Sequence, residues 1–323
     1  MLYQSVVYLR NLCYDRGWMK SATAKVPTLV VGNLSVGGSG KTPMIEFILR
    51  YCLQDFRVAV VSRGYRRSSK GYKRLDANDT AHTVGDEPLQ LFRRFKSSVP
   101  VAVDVNRLNA IDLLLKTDAL DAVVLDDAFQ HRRLRATFNV VLTNYALPFY
   151  EDHYLPMGRL RDHKNQVKRA DVMVVTKSPE TLDSNEAAAI QNRIQQFHRV
   201  AVFFACSHYG EDFLKMIPLL KGQRVALVTG LANAKNLQED LLRMGIHFDA
   251  IEKPDHHSYN QADISALAAY DWILTTSKDE VKLAALWNDR LPTRLVVEVE
   301  HRLLFNAHAD FVRTIRGGLF KIL

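Results

Sequence analysis

The feature that most constrains this chain is a glycine-rich run at residues 31–43, Val-Gly-Asn-Leu-Ser-Val-Gly-Gly-Ser-Gly-Lys-Thr-Pro. An apolar run at 29–31 enters it, and Ile45, Ile48, Leu49 and Leu53 leave it at helical spacing. Glycines let backbone N–H groups close around phosphate oxygens, and a following helix adds the positive end of its dipole. Ser35, Val36, Gly37, Gly38, Ser39 and Gly40 therefore read as a phosphate cradle for a nucleoside triphosphate. Lys41 would bridge the outer phosphates, and the Thr42 hydroxyl would ligate Mg²⁺. The strict pattern has a glycine where this chain has Ser35, so Gly37 and Gly38 must supply the flexibility.

A second motif, Asp121-Ala-Val-Val-Leu-Asp126-Asp127, is a buried-strand pattern ending in carboxylates, the Walker-B arrangement that reaches Mg²⁺. It continues into Ala128-Phe129-Gln130-His131-Arg132-Arg133, a polar loop suited to an anion, in which His131 reads as a hydrogen-bonding group. The apolar run at 57–61 ends in Ser62-Arg63-Gly64-Tyr65, and strand ends beside a phosphate loop are where α/β folds place their chemistry. Gly85-Asp86-Glu87-Pro88 opens a helix-like stretch. Its two carboxylates could complement a helix dipole, accept a proton or hold a metal.

Further apolar runs at 99–103, 138–142, 171–175, 200–205, 224–228, 248–251, 272–274 and 295–299 alternate with helical patterns. This predicts an α/β fold of the P-loop NTPase type, with a mostly parallel sheet flanked by helices and a second, smaller α/β domain. The expected division is 1–205 and 206–323. A formal net charge of +8 favours an anionic partner without choosing one, and no nucleic-acid module is recognisable. Cys13, Cys52 and Cys206 lack disulfide or zinc-site spacing and fit a reducing cytoplasm. No apolar run approaches the length of a membrane span. Leu2, Val6, Leu9 and Cys13 recur at helical spacing among Arg10, Arg16, Lys20 and Lys25, a pattern that either packs on its own domain or lies on an anionic bilayer.

Taken together, the loop at 31–43, Ser62-Arg-Gly-Tyr65, Gly85-Asp-Glu-Pro88, Asp126-Asp-Ala-Phe-Gln-His-Arg132, Leu155-Pro-Met-Gly-Arg-Leu-Arg161, Asp255-His256 and Thr276-Ser-Lys-Asp279 resemble the tetraacyldisaccharide 4′-kinase (lipid A 4′-kinase) family, in family order. Ala128 and Asp162 stand where that family usually has glycine and glutamate. The resemblance implies transfer of the ATP γ-phosphoryl group to the 4′-hydroxyl of a tetraacylated disaccharide 1-phosphate, giving lipid IVA. It implies Asp86 as the base and His256 as the residue that orients it. Asp126 would hold Mg²⁺, with Glu87 and Asp127 as further metal or base candidates. Arg63, Tyr65, Arg107, Gln130, His131 and Arg161 would contact substrate or phosphate. It also implies a peripheral enzyme on the anionic, cytoplasmic face of the inner membrane, docked through residues 1–20; the sequence does not fix the oligomeric state, and a monomer is the default expectation. The alternative reading is a P-loop ATPase or GTPase that acts as an assembly factor on a protein partner.

Overall fold

The structure is a computed structural model that describes residues 2–231, 234–254, 257–288 and 291–321. Apolar runs without polar alternation can form strands only where both sheet faces are covered, and they do so here. In chain order the larger sheet takes β1 (Thr28–Asn33), β2 (Val58–Ser62), β3 (Lys73–Arg74), β4 (Val101–Val103), β5 (Ala122–Asp126), β6 (Phe138–Asn144), β7 (Val172–Thr176) and β8 (Ala201–Tyr209). The smaller sheet takes β9 (Val225–Thr229), β10 (Asp249–Glu252), β11 (Trp272–Thr276) and β12 (Thr293–Val297), and β13 (Val299–Leu303) returns to the larger one.

The larger sheet has the order β13-β8-β7-β6-β1-β5-β2-β4-β3, parallel except for its two edge pairs, β3 with β4 and β13 with β8. The smaller sheet, β10-β9-β11-β12, is parallel throughout. Leu29 and Val31 of β1 face one core with Met44, Ile45, Leu89, Phe311 and Ile315, whereas Val30 faces the other with Ala110, Ile111 and Leu114. The fold is the expected one, a P-loop NTPase-like sheet between helical layers with a second, smaller parallel sheet.

β1 pairs with β5 on one side and β6 on the other, so the strand order reverses at β1 and opens a crevice at the carboxyl ends of the strands. Every sequence motif of the larger unit sits on that edge.

One run divides differently from its sequence pattern. Residues 295–299 read as a single strand, but the chain breaks at Glu298, leaving β12 in the smaller sheet and sending β13 back beside β8. Glu298 accepts from the Gly210 amide at 3.0 Å through its carbonyl, and Arg94 binds the carboxylates of both Glu298 and Glu300. The boundary expected at 205/206 falls within β8, all of which belongs to the larger sheet. The C-terminal helix His308–Phe320 also packs on the larger core through Phe311, Ile315 and Leu319.

Candidate active site

The phosphate loop is built on two positions that only glycine serves well. Gly37 (φ 101°) and Gly40 (φ 78°) lie in the left-handed region, and a Cβ on Gly40 would lie 2.7 Å from His301 Nε2. Ser35 has no such requirement, which is why it can replace the motif's first glycine. Its hydroxyl donates to Asp152 Oδ2 at 3.2 Å, and the Val36 amide donates to the Arg159 carbonyl at 2.8 Å. Asn33 at the end of β1 donates to Ser39 Oγ at 2.9 Å, and Thr176 at the end of β7 donates to the Ser39 carbonyl at 2.9 Å. The loop is therefore held from three sides before it enters the helix Lys41–Phe47. A shallow, open cleft runs along it, lined in part by Ser35, Gly37, Gly38, Asn144 and Arg159.

β5 delivers the carboxylates. Asp126 is buried, accepts from Ser62 Oγ at 2.9 Å through Oδ2, and has no hydrogen-bond partner at Oδ1. Burial, then the negative charges of Glu87 and Asp127, push its carboxyl up to about 7, against the opposing pull of Lys41 and Ser62. Asp127 follows with φ 47° and turns toward the cations. Burial alone would raise its carboxyl, but hydrogen bonds from Arg161 and the charges of Lys41, Arg161 and Arg107 outweigh burial and hold it below the usual carboxylate range. Lys41 Nζ lies 3.7 Å from Asp127 Oδ1, and Arg161 grips Asp127 with two nitrogens while reaching Asn33 Oδ1 at 2.7 Å. Lys41, Asp126, Asp127 and Arg161 thus meet at the strand ends.

The Arg63-Gly64-Tyr65 turn packs on the start of the helix Asp86–Phe95, where a Cβ on Gly85 would lie 3.1 Å from the Tyr65 carbonyl. Arg63 and Tyr65 are exposed, and the Arg66 guanidinium sits 5.5 Å from the centre of the Tyr65 ring. Arg107 is buried behind them, with its Nη1 donating to the Val105 carbonyl at 3.0 Å and its Nε unpartnered. Burial and then the charge of Arg63 pull Arg107 down to about 10, still cationic at neutral pH, while Asp126, Asp127 and Asp104 oppose the shift. His131 lies among Arg107, Arg133, Arg10 and Arg63. Burial and then those charges press it down to about 4, so it is neutral near pH 7.

Gln130 turns out to be a brace. Its amide donates to the Asn33 carbonyl at 2.9 Å and to Asp162 Oδ2 at 3.3 Å, tying the strand before the phosphate loop to residues 155–163. The N-terminal helix Leu2–Asp15 locks onto the same loops. Arg10 donates to the Gln130 carbonyl at 2.6 Å, Asn11 to Asp162 Oδ1 at 2.8 Å, and Arg132 to the Asn11 carbonyl at 3.0 Å.

Asp86 opens its helix and forms an ion pair with Lys282 at 3.2 Å. Lys282 belongs to the helix Ser277–Leu283 of the smaller unit. No sequence pattern singled out this lysine, since only Thr276-Ser-Lys278-Asp279 stood out there. His301 was also missed, because it sits in β13, and no local signal places that strand under the phosphate loop. Glu87 is exposed on the first turn, close enough for its charge to raise Asp126. Asp255 and His256 lie outside the described residues. No described helix is long and apolar enough to cross a membrane.

A nucleotide cradle, a lysine and carboxylates at the switch point, and an acidic helix start facing them are the parts of a phosphoryl-transfer site. Comparison with known proteins agrees. The family model for LpxK, tetraacyldisaccharide-1-P 4′-kinase, matches residues 1–317. The chain is 37% identical over 292 residues to a tetraacyldisaccharide 4′-kinase of Flavobacterium johnsoniae, covering 88% of this chain and 85% of that one. It is 33% identical over 344 residues to the same-named protein of Bacteroides thetaiotaomicron, covering 98% and 90%. A crystal structure described as the "apo" form of LpxK from Aquifex aeolicus in complex with ATP superposes with a TM-score of 0.78 at 26% identity, covering 98% of this chain and 96% of that one. The chain belongs to the tetraacyldisaccharide 4′-kinase family.

Proposed function

We propose that this kinase works by clamping ATP on the loop 35–42 and presenting the 4′-hydroxyl of a tetraacyldisaccharide 1-phosphate to Asp86. The observation that carries the reading is the convergence of Lys41, Asp126 and Asp127 at the strand ends, beside a helix that begins with Asp86 and Glu87.

Phosphoryl transfer runs through a loose transition state, so the protein's task is positioning and charge neutralisation. Loop amides and Lys41 hold the phosphates. The Lys41–Asp127 contact gives way to phosphate when ATP arrives, while Arg161 and Asn33 keep Asp127 in place. Asp126, with an unpartnered buried oxygen, and the Thr42 hydroxyl fit a Mg²⁺ ion, with Asp127 and Glu87 as its further carboxylates. Such an ion would neutralise charge on the β- and γ-phosphates.

Asp86 takes the proton of the attacking hydroxyl, and His256 is assigned to orient it. Arg63, Tyr65, Arg107 and neutral His131 are assigned to the acceptor's sugar and phosphate, since Arg63 and Arg107 act together on His131 as a cationic group suited to an anion. The two units divide as 28–209 with 299–320, and 211–297, and the acceptor enters between them.

The N-terminal helix supports docking on a membrane surface. Its polar side is spent on residues 130–162, while Val6, Tyr8 and Leu9, followed by Trp18 and Met19, remain exposed with Arg16 and Lys20 among them. On this reading the enzyme is peripheral to the cytoplasmic face of the inner membrane, where its acylated substrate is held. Incubation with γ-labelled ATP and the disaccharide 1-phosphate in detergent tests the function. Label on the lipid is the expected outcome. Label released only as inorganic phosphate, and only when a protein partner is added, would instead support an assembly-factor ATPase.

A further inference from the structure

We propose that Lys282 is a positioning residue for phosphoryl transfer: reaching across from the smaller unit, it fixes the carboxylate of Asp86 in the orientation that meets the acceptor hydroxyl. The inference rests on the reading of Asp86 as the base.

This lysine has little freedom. Its Nζ lies 3.2 Å from Asp86 Oδ2 and 3.9 Å from Asp279 Oδ1, both ion pairs without hydrogen-bond geometry, and its side chain is only 7% exposed. Asp279 is itself immobilised. It is fully buried and accepts from the Gly230 amide at 2.9 Å, Thr276 Oγ1 at 2.7 Å and Tyr259 Oη at 3.2 Å. These donors come from the ends of β9 and β11 and from the segment after residue 256. One carboxylate therefore ties the edge of the smaller sheet together and also faces the ammonium of Lys282. The neighbours of Lys282 on its short helix fasten the helix to both units. Val281 is part of the larger unit's core, Leu283 part of the smaller unit's, and Glu280 holds Arg294 at 2.6 Å.

An ordinary lysine is a flexible point charge on a four-carbon stem. This one is a fixed charge whose place is set by the smaller unit and whose partner is the base on the larger unit. Adhesion between the units does not need it. Val281 already provides apolar contact, and the charge of Arg93 on the larger unit acts on Glu280 of the smaller one. A buried ammonium is moreover a poor source of adhesion, since desolvation offsets most of the Coulomb gain. Its position is explained by what it does to Asp86: it selects one carboxylate orientation and makes that orientation depend on how the smaller unit sits.

The test is a double-mutant cycle read in kcat and in KM for ATP, using the full-length enzyme in detergent with the disaccharide 1-phosphate. Lys282→Met is expected to lower kcat about 10- to 100-fold, the cost of a misplaced reacting group. KM for ATP should stay within about twofold, because the nucleotide site is not touched. Lys282→Arg should restore most of the lost turnover. In an Asp86→Asn background, Lys282→Met should cost nothing further, because its effect passes through the missing carboxylate. Wild-type kcat in Lys282→Met, or an equal loss in both backgrounds, would overturn the inference while leaving Asp86 as the base. Wild-type kcat in Asp86→Asn would overturn the base assignment itself. If the methionine variant fails to bind ATP, Lys282→Gln, which keeps a polar chain but loses the charge, is judged by the same outcomes.

Discussion

At Gly40 the backbone takes φ 78° with a neighbouring imidazole where a side chain would go, and its carbonyl lies 3.1 Å from His301 Nε2. Gly40→Ala meets both obstacles and is expected to destabilise the protein by about 1–3 kcal/mol, the usual cost of one strained backbone position. Urea unfolding measures it, and an unchanged midpoint would contradict the packing described. His131 makes a second residue-scale prediction. Its folded-state value, pressed down to about 4, lies below the ordinary 6.5. The stability linked to this group is therefore complete above pH 6.5 and is lost as pH falls through about 4. His131→Gln should flatten the decline in urea midpoint over that window. A decline as steep as in the wild type would mean that the imidazole is not held neutral among arginines.

At the scale of elements, the N-terminal helix has one face tied to the protein and one left exposed. Arg10 and Asn11 bind the loops that carry Gln130 and Asp162, whereas Val6 and Leu9 are 58% and 56% exposed. The double variant Val6→Asp, Leu9→Asp should keep the wild-type melting temperature and lose about tenfold or more in co-sedimentation with vesicles containing anionic lipid. Undiminished sedimentation would remove the helix from the membrane contact. This helix also marks the limit of what was legible in the chain. Its spacing gave the helix and its apolar stripe, but its anchors lie far along the sequence and leave no local trace. The same holds for the break at Glu298. Val296, Val297 and Val299 all favour a strand, and the groups that meet Glu298 at the break, Arg94 and the Gly210 amide, come from distant parts of the chain. The phosphate loop and the Asp126-Asp127 pair were readable because each is contiguous. The bracing of Gln130, whose amide nitrogen donates to Asn33 and Asp162, depends on residues far along the chain and leaves no local trace.

For the whole molecule, a mostly parallel sheet and a smaller parallel one meet through the helix Ser277–Leu283, whose Val281 enters the core of the larger unit. If the base acts only when the acceptor sits between the units, ATP without lipid should be hydrolysed at least about tenfold more slowly than it is consumed with lipid. Equal rates would remove that gating. The central claim is narrower: Asp86 takes the proton of the acceptor hydroxyl while the loop at Lys41 holds the nucleotide. The most direct measurement is transfer of label from γ-labelled ATP to the disaccharide 1-phosphate by Asp86→Asn, with ATP affinity measured on the same preparation. The account predicts a turnover about 10²- to 10⁴-fold below wild type, with ATP binding unchanged. Wild-type turnover by that variant would contradict it.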